Sequence, residues 1–176
     1  MQQLLTLARK TESKFEPVDA NALLESLMTL LRETFPQTIE VTLDRSDMLP
    51  PAMADPNQMM QALLNLCLNA RDAMPDGGKL TLKTSVVAGE RLKSDDEVNG
   101  ERYVCIDVAD TGIGMDENVQ QRIFEPFFTT KETGHGTGLG LAVVYGIVHR
   151  HEGFIQVESH PNDGATFRLY LPVVLG

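Results

Sequence analysis

The residues best suited to chemistry begin in "QALLNLCLNARDAM", positions 61–74, where a run rich in Leu, Met and Ala is interrupted by Asn65 and Asn69. At 3.6 residues per turn, Gln61, Asn65, Asn69 and Asp72 fall along one line of a helix, and Met60, Leu63, Leu64, Cys67, Leu68 and Met74 occupy the remaining faces. The pattern predicts a narrow polar stripe on a buried helix. Asn is a mediocre helix former, and a buried amide without partners costs about 1–3 kcal/mol, so something must compensate. Two arrangements would do so. Either the amides bond to neighbouring backbone, or an amide oxygen holds a hard cation whose other positions are filled by water and ligand phosphates.

Two Gly-rich segments offer further chemistry. "DTGIGM" (110–115) leaves a strand directly, so Asp110 sits at a strand end, and Gly112 and Gly114 permit the backbone to bend and approach a ligand. An Asp before Gly also makes a plain turn. In "GHGTGLGLAVV" (134–144) the glycines run into a helix start, where free N–H groups and the helix dipole suit phosphate. The same composition serves a flexible loop with a helix cap, and it lacks the Gly-Lys-Ser/Thr of a P-loop. Between the two segments, Phe124, Phe127 and Phe128 stand in polar, Gly-rich surroundings, as loop anchors or as latches of a mobile lid.

The elements that must position these groups are legible in outline. Residues 1–14 have the pattern of the last turns of a helix. Asp19 caps a helix over about 20–35, with Leu23, Leu24, Leu27, Leu30 and Leu31 on one side. "IEVTLD" (39–44) alternates as a strand, and Asp55-Pro56 starts the Asn-bearing helix. "KLTLKTSVVA" and "RYVCIDVAD" are strands joined by the polar connection 89–101, and Val104, Ile106 and Val108 share a face. A short helix is expected near 117–124. The helix "GLAVVYGIVHRHEG" closes at Gly153, where His149 and His151 complement the helix dipole. Strands "FIQVES" and "ATFRLYLP" follow, joined by the turn "HPNDG". This irregular alternation predicts an α+β, two-layer sandwich: one mixed sheet covered on one face by helices.

With 176 residues the chain suffices for one domain with a real core. Its formal charge of -10 disfavours a nucleic-acid backbone as partner, although a local pocket can still bind a nucleotide. No apolar run is long enough to span a bilayer, and Cys67 and Cys105 sit within apolar patterns as reduced core residues of a cytoplasmic protein.

Taken in order, these segments resemble the ATP-binding catalytic domain of sensor histidine kinases, within the GHKL superfamily of gyrase-type ATPases. "NLCLNA" looks like the N box, "DTGIGM" the first glycine box, "IFEPFFTTK" the F box and "GTGLGLAVV" the second glycine box. The likeness covers about residues 15–173, and "PFFTTK" and "NARDAM" look most like the nitrogen-regulator type. It implies that Asn69 supplies an amide oxygen to Mg²⁺ bridging the ATP phosphates, with Asn65 beside them and Asp72 one turn on. Asp110 would accept from the adenine amino group after the bend at Gly112 and Gly114, with Thr166 of "GATF" supporting that end through water. Gly136, Thr137, Gly138, Leu139 and Gly140 would wrap the phosphates, and 115–137 would be the ATP lid. Lys131 joins Asn65 and Asn69 as a catalytic candidate. Implied partners are a dimerisation domain of the same kinase carrying the acceptor histidine, and a response regulator. The full-length protein would be a homodimer, tethered to a membrane only through segments outside this chain.

Two departures shape the expectation. ATP-hydrolysing members carry a Glu one turn before the Mg²⁺ asparagine; this chain has Asn65, and an amide cannot take a proton at neutral pH, which favours kinase over ATPase. Many relatives place a Lys where Asp72 stands, so a phosphate-neutralising cation must come from Arg71, Arg122, Lys131 or His135. Rival functions on the same fold are a serine kinase of the anti-sigma type and a nucleotide-dependent interaction module. All four histidines (His135, His149, His151, His160) follow the first glycine box, whereas the family's acceptor precedes it. The chain alone should therefore incorporate no stable label from radiolabelled ATP, and transfer should appear when a matching dimerisation domain is added. Label on His151 would contradict this.

Overall fold

The computed structural model describes residues 14–89, 102–126, 128 and 140–174. Side-chain capping sets where its two long helices begin. Asp19 Oδ1 accepts from the N–H groups of Asn21 (2.9 Å) and Ala22 (3.4 Å), opening α1 (Ala20–Thr34). Asp55 Oδ1 likewise accepts from Asn57 (3.0 Å) and Gln58 (3.2 Å), opening α2 (Pro56–Asp72), with Pro56 where no N–H needs a partner. Along α1, Leu24, Leu27, Met28 and Leu31 enter the core. Leu23 is half-buried, and Leu30, expected on the same side, is 38% exposed because it lies about 100° round the helix from Leu31.

Five strands form one mixed sheet in the order β2-β4-β5-β7-β6: β2 (Ile39–Asp44), β4 (Gly78–Ala88), β5 (Arg102–Asp110), β6 (Phe154–Ser159) and β7 (Ala165–Pro172). β2 runs parallel to β4, which requires a crossover, and α2 lies within it. The other neighbours are antiparallel. Two short strands that sequence alternation did not reveal, β1 (Glu16–Val18) and β3 (Ala52–Ala54), pair as a separate antiparallel ribbon. Three residues are too few to carry a periodic signal. The remaining helices are α3 (Glu117–Arg122) and α4 (Gly140–Arg150).

The expected layering is observed. Leu24 and Leu27 of α1, Leu63 and Leu66 of α2, and Val144 and Ile147 of α4 share one core with sheet residues Leu82, Ile106, Val108 and Leu169. Each such side chain contributes about 1.5–3 kcal/mol on burial. The opposite face of the sheet carries a smaller cluster of Tyr103, Cys105, Phe154 and Tyr170, with Phe154 stacked on Tyr170 at 4.6 Å. Both cysteines are buried free thiols, and burial pushes each up to about 12. Connection 89–101 joins antiparallel strands as expected, though 90–101 lie outside the described residues; so does the expected helix remnant, Lys14 excepted.

His151 departs from the expected helix-dipole role. It is buried, its Nδ1–H donates to the Ile147 carbonyl (2.7 Å), and its Nε2 accepts from the Asp55 N–H (3.0 Å). An Nε2 that accepts carries no proton, so the imidazole is neutral and bolts the end of α4 to the start of α2. Phe15 lies edge-on to its ring at 4.8 Å, and the Lys14 N–H donates to Asp55 Oδ2 (3.0 Å). Desolvation is the largest influence on His151 and lowers its pKa below the ordinary 6.5; nearby Asp55 opposes this and Arg150 adds to it. Well above pH 6.5 both folded and unfolded chains hold this group neutral. As pH falls through 6.5 the unfolded chain takes the proton first, so stability should decline until the lower folded pKa is passed. Urea unfolding at pH 8 and at successive steps below pH 6.5 should show that decline, and His151→Gln should flatten it.

Candidate functional site

The polar stripe of α2 lies at the edge of the core, not inside it. Met59, Ala62, Leu63, Leu66, Cys67 and Ala70 form the buried face, whereas Gln61, Asn65 and Asn69 are half-buried and Asp72 is exposed. The narrow polar stripe is present, but the helix expected to be buried is buried along one face only, and Met60, Leu64 and Leu68 border the core. α2 packs beside α4, and Asn65 Nδ2 donates to the carbonyl of Gly140, the first residue of α4, at 3.4 Å. The asparagine stripe thus meets the helix into which the second Gly-rich segment leads. Among the described residues, a Cβ at Gly140 would meet nothing within 4 Å. Gly136, Thr137, Gly138 and Leu139 lie outside the described residues. Elsewhere in the helical layer, the buried Asn21 donates to the Ser46 carbonyl (2.7 Å) and accepts from Thr84 Oγ1 (2.8 Å).

Asp110 ends β5, half-buried on the helix-covered face. Its Oδ1 accepts from the Gly112 N–H at 2.9 Å, and the nearby Ala165 N–H also favours the charged carboxylate. Burial raises its pKa above the ordinary 3.8, while these two donors pull the other way by stabilising the charge. Gly112 and Gly114 are expected to let the backbone bend and approach a ligand, and the space their missing side chains leave is filled by protein backbone. A Cβ at Gly112 would stand 2.3 Å from the Ala73 carbonyl oxygen, which accepts from the Ile113 N–H. One at Gly114 (φ +70°) would stand 2.0 Å from the His160 carbonyl oxygen.

Thr166 is also placed differently from the expectation. Asp110 pairs with Ala165, and Ala109 with Thr166, so strand alternation sends the Thr166 side chain to the opposite face from Asp110. At this end β7 offers the Ala165 N–H instead. Neither that N–H nor the Ala73 carbonyl has a side-chain signature, so residue type alone could not reveal them.

The root of the expected lid is anchored. Asp116 caps α3, Ile123 is buried, and the Phe124 ring lies 5.4 Å from Tyr145 and 6.5 Å from Phe167. Phe124 is therefore a loop anchor. Arg122 sits 4.5 Å over the Phe128 ring and 2.8 Å from Glu125, and Arg71 lies 3.4 Å from Asp72. Phe127, Lys131 and His135 lie outside the described residues. Among the described residues no group of three or more His, Cys, Asp and Glu could hold a metal.

The site thus combines a helix-over-sheet sandwich, an Asn-bearing helix beside a Gly-led helix, and an Asp-Gly turn at the end of the central strand. The chain belongs to the family described as histidine kinase-, DNA gyrase B- and HSP90-like ATPase, whose profile matches residues 54–175. It is 42% identical to sensor kinase CckA of Brucella abortus over 174 residues, 98% of this chain and 18% of CckA. The first curated relatives are all much longer, this chain spanning 18%, 21% and 26% of their lengths. Full-length ShkA, solved in complex with AMPPNP, superposes with a TM-score of 0.81 at 29% identity, covering 99% of this chain and 35% of ShkA. The catalytic domain of histidine kinase ThkA, solved free of nucleotide, gives 0.73 at 27% identity, covering 91% of this chain and 98% of that domain.

The glycine contacts predict unequal costs. Gly114→Ala should lower stability by at least about 1–3 kcal/mol, through positive φ and the His160 carbonyl. Gly140→Ala should leave stability unchanged or raise it by up to about 1 kcal/mol. Urea midpoints measure both, and equal midpoints would contradict the close approach.

Proposed function

We propose that this chain is the ATP-binding catalytic domain of a sensor histidine kinase of the nitrogen-regulator type. It would bind Mg²⁺-ATP and pass the γ-phosphoryl group to a histidine on a separate dimerisation domain. The observation that carries the reading is the bond from Asn65 to Gly140, which joins the N-box stripe to the start of the helix after the second glycine box. Asp110, held by the Gly112 N–H, is the acceptor for the adenine amino group. "PFFTTK" and "NARDAM" support the subtype.

The donor set suits Mg²⁺ better than a cation that needs a protein cage. An amide oxygen is a hard ligand, and Mg²⁺ commonly keeps waters and phosphate oxygens alongside one or two protein ligands. Asn69 would hold it; when bound, it supplies charge neutralisation at the phosphates. Asn65 anchors α4 through its amide N–H and has no basic group with which to activate water, which favours transfer over hydrolysis. In-line transfer then depends on the nucleophile of another domain, with the protein providing position and electrostatics. That histidine would pass the phosphoryl group to a response regulator, and the full-length kinase would act as a homodimer on the cytoplasmic side.

Two substitutions test the assignment by calorimetric titration beside thermal unfolding. Asp110→Asn should weaken ATP and ADP binding by about 1.5–3 kcal/mol, roughly tenfold to a hundredfold, because hydrogen-bond polarity at adenine is partly reversed. Equal affinity would sink the adenine role. Asn69→Asp should leave the free domain folded and change the Mg²⁺ dependence of ATP affinity; a loss of stability with unchanged Mg²⁺ dependence would make Asn69 a structural amide.

A further inference from the structure

Ser159, the last residue of β6, is buried, and its hydroxyl both accepts and donates. It accepts from the Met115 N–H at 2.9 Å and donates to the Gly164 carbonyl at 2.7 Å. Gln120 closes the same clasp, its Nε2 donating to the carbonyls of Met115 (3.0 Å) and Ser159 (2.9 Å). Across the turn, the Gly164 N–H donates to the Gly112 carbonyl (3.1 Å) and the Asn162 N–H to the Ile113 carbonyl (2.6 Å). A Cβ at Gly164 (φ +72°) would stand 2.1 Å from the Asp110 carbonyl oxygen. The β6–β7 turn therefore grips residues 110–115 at their start, middle and end, and one hydroxyl spans the grip.

We infer that Ser159 is a positioning residue for purine recognition: it locks the β6–β7 turn against residues 110–115 and so aims the Asp110 carboxylate. The inference rests on the proposed role of Asp110 as acceptor for the adenine amine. Guanine presents a carbonyl oxygen where adenine carries its amino group, and that oxygen opposes a carboxylate. A rigidly aimed Asp110 rejects guanine, whereas a loosely held one turns aside and discriminates less. Only a hydroxyl fills both roles of Ser159. Ala loses both bonds, and Thr keeps them with a β-branched side chain that suits a strand end.

The experiment compares wild type, Ser159→Ala, Ser159→Thr and Gln120→Ala well below their unfolding temperatures. ATP and GTP affinities are measured by calorimetry, and amide exchange at Gly112 and Ala165 by NMR without nucleotide. Ser159→Ala should weaken ATP binding about tenfold, narrow the ATP-to-GTP ratio at least about threefold, and speed exchange at both amides. Ser159→Thr should stay within about twofold of wild type. Gln120→Ala removes the half-exposed side of the clasp and should shift the ratio the same way by less, which decides the matter if Ser159→Ala does not fold. A lowered melting temperature with unchanged nucleotide ratio and unchanged Gly112 exchange would reduce Ser159 to a structural residue and overturn the inference. Wild type binding neither nucleotide would overturn the role of Asp110 and the recognition half of the inference, while Gly112 exchange still decides the positioning half.

Discussion

Backbone packed directly on backbone at the end of β5 is the constraint on which the placement of Asp110 depends. Residues 110–115 are wedged between the Ala73 carbonyl at the end of α2 and the carbonyl of His160 in the β6–β7 turn, with no room for a Cβ at Gly112 or Gly114. Gly164, in the same turn, packs against the Asp110 carbonyl. Three stretches far apart in sequence are held within van der Waals distance, and each contributes a hydrogen bond to another. The position of the Asp110 carboxylate follows from that packing.

The opposite end of the helical layer is secured by a polar contact in an apolar setting. A neutral His151 joins the last turn of α4 to the N-cap of α2, and Asp55 meanwhile caps α2 and receives the Lys14 N–H. Such a bond is worth most where water is absent, and it sets the two helices side by side from that end. Further along the same pair, Asn65 reaches Gly140. The two ends of the helix pair thus differ: one is closed by His151 and Asp55, and at the other no described residue comes within 4 Å of a Cβ placed on Gly140.

Much of the element pattern was legible because it depends on local chemistry. Asp19 and Asp55-Pro56 marked helix starts, alternation marked β2 and β4 to β7, and the turn before Gly164 sits where "HPNDG" placed it. The candidate site was legible as a set of side-chain types in a particular order. It was less legible as geometry. The asparagine stripe sits at the core's edge because the apolar positions of α2 cover less than a full circumference, which periodicity counts but cannot orient.

What the sequence determined by itself is therefore the inventory: capped helices, alternating strands, two Gly-rich segments, and an amide stripe of Asn65 and Asn69. Tertiary structure decided what those groups face. Gly112 and Gly114 face protein carbonyls, Thr166 leaves the opposite side of the sheet from Asp110, and His151 is a neutral bolt instead of a charged cap. The physical reason is common to all three. Each outcome depends on a partner distant in sequence, in two cases a backbone carbonyl or N–H, and every residue type presents the same carbonyl and, proline excepted, the same N–H.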